Sequence, residues 1–158
     1  MRVIPNETSW IGFTTTRPAN LSAPTASEIS GATKLTGLVI SITAQATGNS
    51  IPTPNLENIF ETSIRGTTTG SFTADFYRDD EDDLAWETLG LGVSGYFLVS
   101  RFGGTGTNSA PASGDSLEVW PVSILSRTAS ALASNTAQTF TCTAAVPETP
   151  VEDAVVAS

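Results

Sequence analysis

The sequence contains no histidine, a single lysine (Lys34) and a single cysteine (Cys142) in 158 residues. Without histidine, the side chain that most often acts as a general base at neutral pH is missing. One cysteine can form neither an internal disulfide nor a cysteine-rich zinc site. A nucleophilic Ser or Thr would have only Lys34 as its base. The composition therefore argues against an enzyme and predicts no bound cofactor.

Positive charge is also scarce, because 7 Lys and Arg stand against 16 Asp and Glu, for a formal net charge of −9. Such a protein repels nucleic acids and anionic membranes unless its cations cluster, and here they are scattered. No run approaches the ~18 apolar residues that a membrane-spanning helix needs, and residues 1–7 lack the apolar segment of a signal peptide. We expect a protein made in the cytoplasm that binds neither membranes nor DNA.

Hydroxyl side chains are abundant, with 24 Thr and 18 Ser. Because β-branched Thr suits a pleated, half-buried surface, this composition favours strands. In the clearest strand, Phe72, Ala74 and Phe76 alternate with polar residues. Further strands are predicted at residues 36–46, 59–64, 96–102, 117–126 and 139–146. These six to eight strands predict a mainly β protein, an antiparallel β-sandwich or barrel-like domain.

One flanking α-helix is predicted over about residues 80–89. The acidic run Asp79-Asp80-Glu81-Asp82-Asp83 would occupy its first turn, where carboxylates offset the helix dipole, and Gly90 suits the position after its last turn. A calcium site is the competing interpretation of the acidic run, but the run lacks the spaced ligands and the glycine of a calcium-binding loop. A solvated helix start is the favoured interpretation.

Two segments flank the domain, which covers residues 33–146, and one long loop lies within it. Residues 1–32 are interrupted by three prolines and show no sustained periodicity, so they are predicted to form an extended N-terminal arm. Residues 147–158 are predicted to form a polar C-terminal tail. Pro52 and Pro54 lie within a long inter-strand loop, residues 47–58, for which no regular pairing is expected.

A succession of short motifs along nearly the whole chain carries a family resemblance. In order they are Ala23-Pro24-Thr25-Ala26-Ser27-Glu28-Ile29, Leu35-Thr36-Gly37-Leu38, Ile51-Pro52-Thr53-Pro54-Asn55-Leu56, Ile64-Arg65-Gly66-Thr67-Thr68, Phe76-Tyr77-Arg78-Asp79, Gly95-Tyr96-Phe97 and Val119-Trp120-Pro121-Val122. Each motif is short, and the order gives them their specificity. The succession resembles the major tail tube proteins of long-tailed, non-contractile phages that infect actinobacteria.

The resemblance implies a structural virion protein, assembled in the bacterial cytoplasm, whose six-membered rings stack into a hollow tail tube. It implies a tape-measure protein in the lumen during assembly, and tail terminator and distal tail proteins as further partners. DNA would pass through during ejection without specific binding. The resemblance carries over no catalytic, cofactor or metal-binding residue.

Two sets of candidate functional residues follow. A lumen lined by carboxylates and hydroxyls would repel phosphates, and the candidate lumen-facing residues are Thr73, Asp75, Glu61 and Glu118. The arm and the loop are suited to reach neighbouring copies. Their candidate contacts between subunits and rings are Trp10, Ile11, Phe13, Ile51, Pro52, Pro54 and Leu56.

A second interpretation stays open, that of a carbohydrate-binding or decoration β-sandwich module of a virion. Trp10, Trp86 and Trp120 would then form an aromatic platform for sugar rings. The apolar neighbours of Trp86 and Trp120 favour packing in a core or an interface instead.

Overall fold

The computed structural model describes residues 5–158, and within them the chain forms eight β-strands and two short α-helices. The helices are α1 (Ala26–Ser30) and α2 (Leu84–Thr88), and a 3₁₀ turn spans Thr36–Leu38. No helix within residues 5–158 is long and apolar enough to cross a membrane. The strands are β1 (Trp10–Thr14), β2 (Thr33–Lys34), β3 (Val39–Pro52), β4 (Ser63–Tyr77), β5 (Ser94–Ser100), β6 (Ser116–Ala129), β7 (Thr139–Ala145) and β8 (Val151–Val155).

The strands form one antiparallel sheet that folds over on itself at β6, which confirms the predicted mainly β fold. The strand order is β2-β1-β5-β6-β7-β4-β3, and β8 pairs with the start of β6. Residues 118–123 of β6 pair with β5, whereas residues 123–129 pair with β7. The fold-over brings β4 across β5, so that Phe72 and Phe97 stack with ring centroids 4.4 Å apart although their strands are not neighbours.

Pro121 lies in the middle of β6, where the sequence predicts an edge or a bulge. On one side it pairs with Tyr96 of β5. On the other side the pairing with β8 ends at Val119 and the pairing with β7 begins at Ser123. Pro121 therefore occupies the gap between two ladders, where its missing N–H removes no bond from either of them.

The inner core lies between the two halves of the folded sheet. Phe72, Ala74 and Phe76 of β4 are buried there, as their alternation predicts. A second apolar cluster covers the other face of the β1–β5–β6 half and is packed by α1 and the C-terminal segment. Its buried members are Trp10, Ile29, Leu98, Leu117, Val119, Ala154 and Val156.

The predicted extended arm over residues 1–32 is wrong for the part that the structure describes, and residues 1–4 lie outside the described residues. β1 sits inside the sheet between β2 and β5. Trp10, Ile11 and Phe13 are only 3%, 8% and 1% exposed. Trp10 belongs to the second cluster and the other two to the inner core. A strand covered on both faces has no polar alternation, which is why the segment shows no period of two.

The acidic run precedes α2 rather than beginning it. Both Nε and Nη2 of Arg78 donate to Oδ2 of Asp83, at 3.0 and 2.5 Å, which holds the run in a turn. The Asp79 carboxylate also accepts a hydrogen bond from the backbone N–H of Glu81 at 3.0 Å. The helix consequently starts at Leu84 instead of about residue 80, and it ends one residue earlier than predicted. Residues 5–158 contain no cluster of three or more His, Cys, Asp or Glu side chains that could hold a metal ion.

Two further boundaries differ from the prediction. The segment 147–158 is not a free tail, because β8 pairs with β6 and Ala154 is fully buried. The loop predicted at 47–58 is paired through Pro52, since a register shift between Gly48 and Ser50 accommodates the irregular residues within the ladder. The turn outside the ladder spans residues 53–62 and is closed by a hydrogen bond from the backbone N–H of Thr53 to the carbonyl oxygen of Thr62 at 2.8 Å, and β4 begins at Ser63 rather than at Ile59.

Substitution of Phe97 by alanine tests the aromatic stack. Phe97 is fully buried between Phe72 and Phe13, whose ring centroids lie 4.4 and 5.0 Å away. Loss of this ring leaves a cavity, and we expect Phe97→Ala to lower the free energy of unfolding by about 3–5 kcal/mol, measured by urea denaturation. Phe102→Ala is the matched control, because Phe102 is 61% exposed. Equal effects of the two substitutions would contradict the assignment.

The capping box of α1 predicts a pH dependence. The Glu28 carboxylate accepts hydrogen bonds from the backbone N–H of Ala19 at 3.0 Å and of Thr25 at 2.8 Å. These bonds, Ala19 first, lower the pKa of Glu28 below its ordinary value of 4.5. Its contribution to stability is thus complete above about pH 4.5 and is lost as the pH falls through the lowered pKa.

We therefore expect Glu28→Gln to destabilise the protein at neutral pH, with a difference from wild type that shrinks as the pH falls below 4.5. Chemical denaturation across a pH series measures it. Glu152→Gln, on an exposed residue of β8, is the control. A difference between Glu28→Gln and wild type that stays constant with pH would overturn the prediction.

Candidate functional site: a hydroxyl face and an exposed hairpin

One face of the folded sheet carries side chains dominated by hydroxyl groups. β3, β4, β7 and the second half of β6 turn this face away from the inner core, and strand register places their polar residues in rows. We call it the hydroxyl face. One row consists of Ser41, Asp75, Thr141 and Thr128, and the next of Thr43, Thr73, Thr143 and Ser126.

Asp75 is the only charged residue in these two rows, and two hydroxyl groups hold its carboxylate. Ser41 Oγ donates to Oδ2 at 2.9 Å, and Thr141 Oγ1 donates to Oδ1 at 2.6 Å. Both donors lie on the strands flanking β4. The negative charge is therefore held in position, half-buried, by one hydroxyl donor on each carboxylate oxygen.

The four candidate lumen residues do not lie together. Thr73 and Asp75 share the hydroxyl face, two residues apart on β4. Glu118 lies on the other half of the sheet, where Arg101 binds both carboxylate oxygens and Trp120 Nε1 donates to one of them at 3.3 Å. Its side chain is only 13% exposed and its charge is compensated by Arg101, so it presents little free negative charge to a channel. Glu61 is exposed in the turn between β3 and β4, away from this face.

The β3–β4 hairpin extends beyond the rest of the sheet. β7 pairs with β4 only over residues 71–77, so that residues 46–52 and 63–70 pair with each other alone within the described chain. The turn at residues 53–62 is the hairpin tip. Leu56, Ile59 and Phe60 of the tip are 108%, 104% and 82% exposed. Exposed apolar groups of this size mark interaction surfaces.

The candidate contact residues divide between this hairpin and the cores. Ile51, Pro52, Pro54 and Leu56 lie on the hairpin or its tip and are all exposed. Trp10, Ile11 and Phe13 are buried in the subunit itself, so their side chains are not accessible to a neighbouring copy.

Sequence reasoning did not identify Ile59, Phe60 and Ile64 as exposed: it assigned all three to a strand, whereas only Ile64 lies in one, β4. The available signal was the adjacent pair Ile59-Phe60, because neighbouring residues of a strand point to opposite faces and cannot both enter one core.

The three tryptophans do not form a sugar-binding platform. Trp10 and Trp120 are buried. The ring of Trp86 lies between two cations, with the guanidinium carbons of Arg78 and Arg127 4.0 and 3.8 Å from its centroid. Both faces of this ring are thereby occupied.

Comparison with known proteins identifies the family. A family model described as phage tail tube protein matches residues 2–158. The chain belongs to the phage tail tube protein family. The match extends over both the hydroxyl face and the hairpin, and it supports a tail tube function over a carbohydrate-binding module. The sequence matches no curated protein.

Two solved structures share the fold of this tail tube protein. The first is the tail of an empty gene transfer agent particle with C6 symmetry, at 14% identity and a TM-score of 0.58, covering 92% of this chain and 95% of that one. The second comes from the virion of a native gene transfer agent particle, at 11% identity and a TM-score of 0.59, covering 96% of this chain and 100% of that one. At these identities the likeness concerns the fold.

Proposed function

We propose that this tail tube protein forms six-membered rings that stack into a hollow tube, and that its hydroxyl face lines the channel through which DNA passes. The C6 symmetry of the gene transfer agent tail supports the number of subunits. The observation that carries the proposal is that the surface has three chemically different parts. The hydroxyl face is an open polar sheet face, the opposite side is covered by α1 and the C-terminal segment, and the apolar hairpin extends past the part of β4 that pairs with β7.

The hydroxyl face has the chemistry that a sliding surface for DNA requires. Thr and Ser side chains present small neutral groups without a cation that would retain phosphate. The Asp75 carboxylates, repeated around each ring, repel phosphate within a screening length of about 8 Å at physiological ionic strength. The net charge of −9 acts in the same direction.

The hairpin supplies the contacts between subunits and between rings. Ile51, Pro52, Pro54 and Leu56 belong to this contact surface, and Ile59, Phe60 and Ile64 extend it. Burial of each large apolar side chain contributes about 1.5–3 kcal/mol to association, before the entropy of assembly opposes it. Assembly would therefore remove the exposed apolar side chains of the hairpin from water.

The remaining parts of the proposal follow from the motif succession. It supports the tail of a long-tailed, non-contractile phage of actinobacteria and assembly in the host cytoplasm, with a tape-measure protein in the lumen and terminator and distal tail proteins at the tube ends. The protein acts as a structural conduit and not as an enzyme.

Shortening the hairpin tests its role in assembly. Thr47 and Thr69 are directly paired, so an Asn-Gly turn can join them in place of residues 48–68. We expect a folded monomer with near-native thermal stability that no longer forms rings or tubes in negative-stain microscopy. Phe60→Ser should also reduce tube yield, whereas Leu132→Ser, which alters another exposed apolar residue, should not. Normal tubes from the shortened chain would refute the assembly role.

Heavy-atom labelling tests which face lines the channel. Thr73→Cys carries the label on the hydroxyl face, and Ala26→Cys carries it on α1, on the opposite side of the sandwich. With a gold-cluster maleimide bound, we expect tubes of the first variant to show density along the central axis and tubes of the second to show it at larger radius. Peripheral density from Thr73→Cys would exclude the hydroxyl face from the channel wall.

A further inference from the structure

The folded sheet leaves an open groove along one side. β2 and β3 are the two ends of the strand order and do not pair with each other within the described chain. The opening between them is a groove of about 1330 Å³. Its apolar floor is continuous with the inner core and includes Ile11, Leu38, Ile42, Leu84 and Val99, whereas ten of its twenty lining residues are polar or charged.

We propose that this groove receives the hairpin tip, residues 53–62, of a second copy of the chain. The tip presents Leu56, Ile59 and Phe60 almost fully to solvent. The groove presents an apolar floor of the kind that would remove these side chains from water. The inference rests on the proposed function and names the surface that the hairpin contacts.

A chain cannot fill its own groove with its own tip. The groove is lined by Val39, Ile40 and Ile42, at the start of β3, whereas the tip follows the last residue of that strand. The 14 residues of β3 span roughly 46 Å at about 3.3 Å per residue. The near-complete exposure of Leu56 and Ile59 agrees with this separation. The occupant must therefore come from another copy.

Charge limits how the tip can enter the groove. Glu57 and Glu61 on the tip form no ion pair within the described chain, and neither does Lys34 in the groove. The groove also contains Glu7, Asp79 and Asp82, which repel these carboxylates, and Arg101, which is bound to Glu118. The tip is thus expected to enter with its acidic residues toward Lys34. The reverse orientation would place them beside the carboxylates of the groove, and this repulsion selects one direction of entry.

Tip and groove are different surfaces, which determines the kind of assembly. A contact between unlike surfaces is head-to-tail, and its repetition gives a closed ring or a continuing helix rather than an isolated dimer. Each subunit would give one tip and accept one.

Directed cross-linking tests the contact. Cys142 is buried, and burial raises the pKa of its thiol to about 11, so the native protein contributes little background reaction. Asn58→Cys places a thiol on the tip without removing an apolar contact. Gly37→Cys places one in the groove lining, where an added Cβ meets no atom within 4 Å. The two variants are mixed, assembled into tubes and treated with a short bismaleimide.

We expect a covalent dimer between Asn58→Cys and Gly37→Cys chains at least tenfold above that of the control mixture of Asn58→Cys with Ala133→Cys. Ala133 is exposed in the β6–β7 loop and does not line the groove. Tubes that assemble normally but give no excess of the groove cross-link would overturn this inference and leave the proposed function intact. If wild-type chains form no assembly under the same conditions, even with a tape-measure protein added, both fail.

Discussion

The stack of aromatic rings between the two halves of one folded sheet is the interaction on which the rest of this structure depends. Phe97 of β5 lies 4.4 Å from Phe72 of β4 and 5.0 Å from Phe13 of β1, measured between ring centroids. These contacts hold the sheet folded over at β6, where its partner changes from β5 to β7. Because β4 is fixed from its core side, its other side is available as the hydroxyl face.

The same strand therefore links stability to function. Phe72, Ala74 and Phe76 pack inward, and Thr73 and Asp75 between them point outward. The strict alternation of a strand makes one face apolar and the other polar over the same five residues. Residues 63–70 of β4, which precede the part paired with β7, pair only with β3 in the hairpin, so packing gives way to exposure. The rigid body and the projecting hairpin thus belong to one continuous pair of strands.

The sequence predicts the alternating elements well and the irregular ones poorly. Strands β4 and β7 follow from period two, because each has one buried and one polar face. β1 escapes the pattern since both of its faces are covered, and β8 escapes it because Glu152 and Asp153 lie among its five residues. The start of α2 is predicted too early because Arg78 binds the Asp83 carboxylate, a contact that no local pattern reveals. Some predicted contact residues are exposed on the hairpin and others are buried in the subunit, and no local pattern separates the two groups. Burial of Trp10, for example, depends on α1 and the C-terminal segment.

The sequence by itself determines the mainly β class, the acidic charge, the scarcity of groups for catalysis, and the family to which the chain belongs. These properties depend on composition, short-range periodicity and the order of motifs, all of which can be read without knowing which residues meet in space. Only the tertiary structure decided that Thr73 and Asp75 share a surface with Ser41 and Thr141. It also decided that Arg101 compensates the charge of Glu118 and that the hairpin extends past the part of β4 that pairs with β7. Each of these depends on strand register and on the fold-over at β6, which join residues far apart in the chain through packing that no local segment specifies.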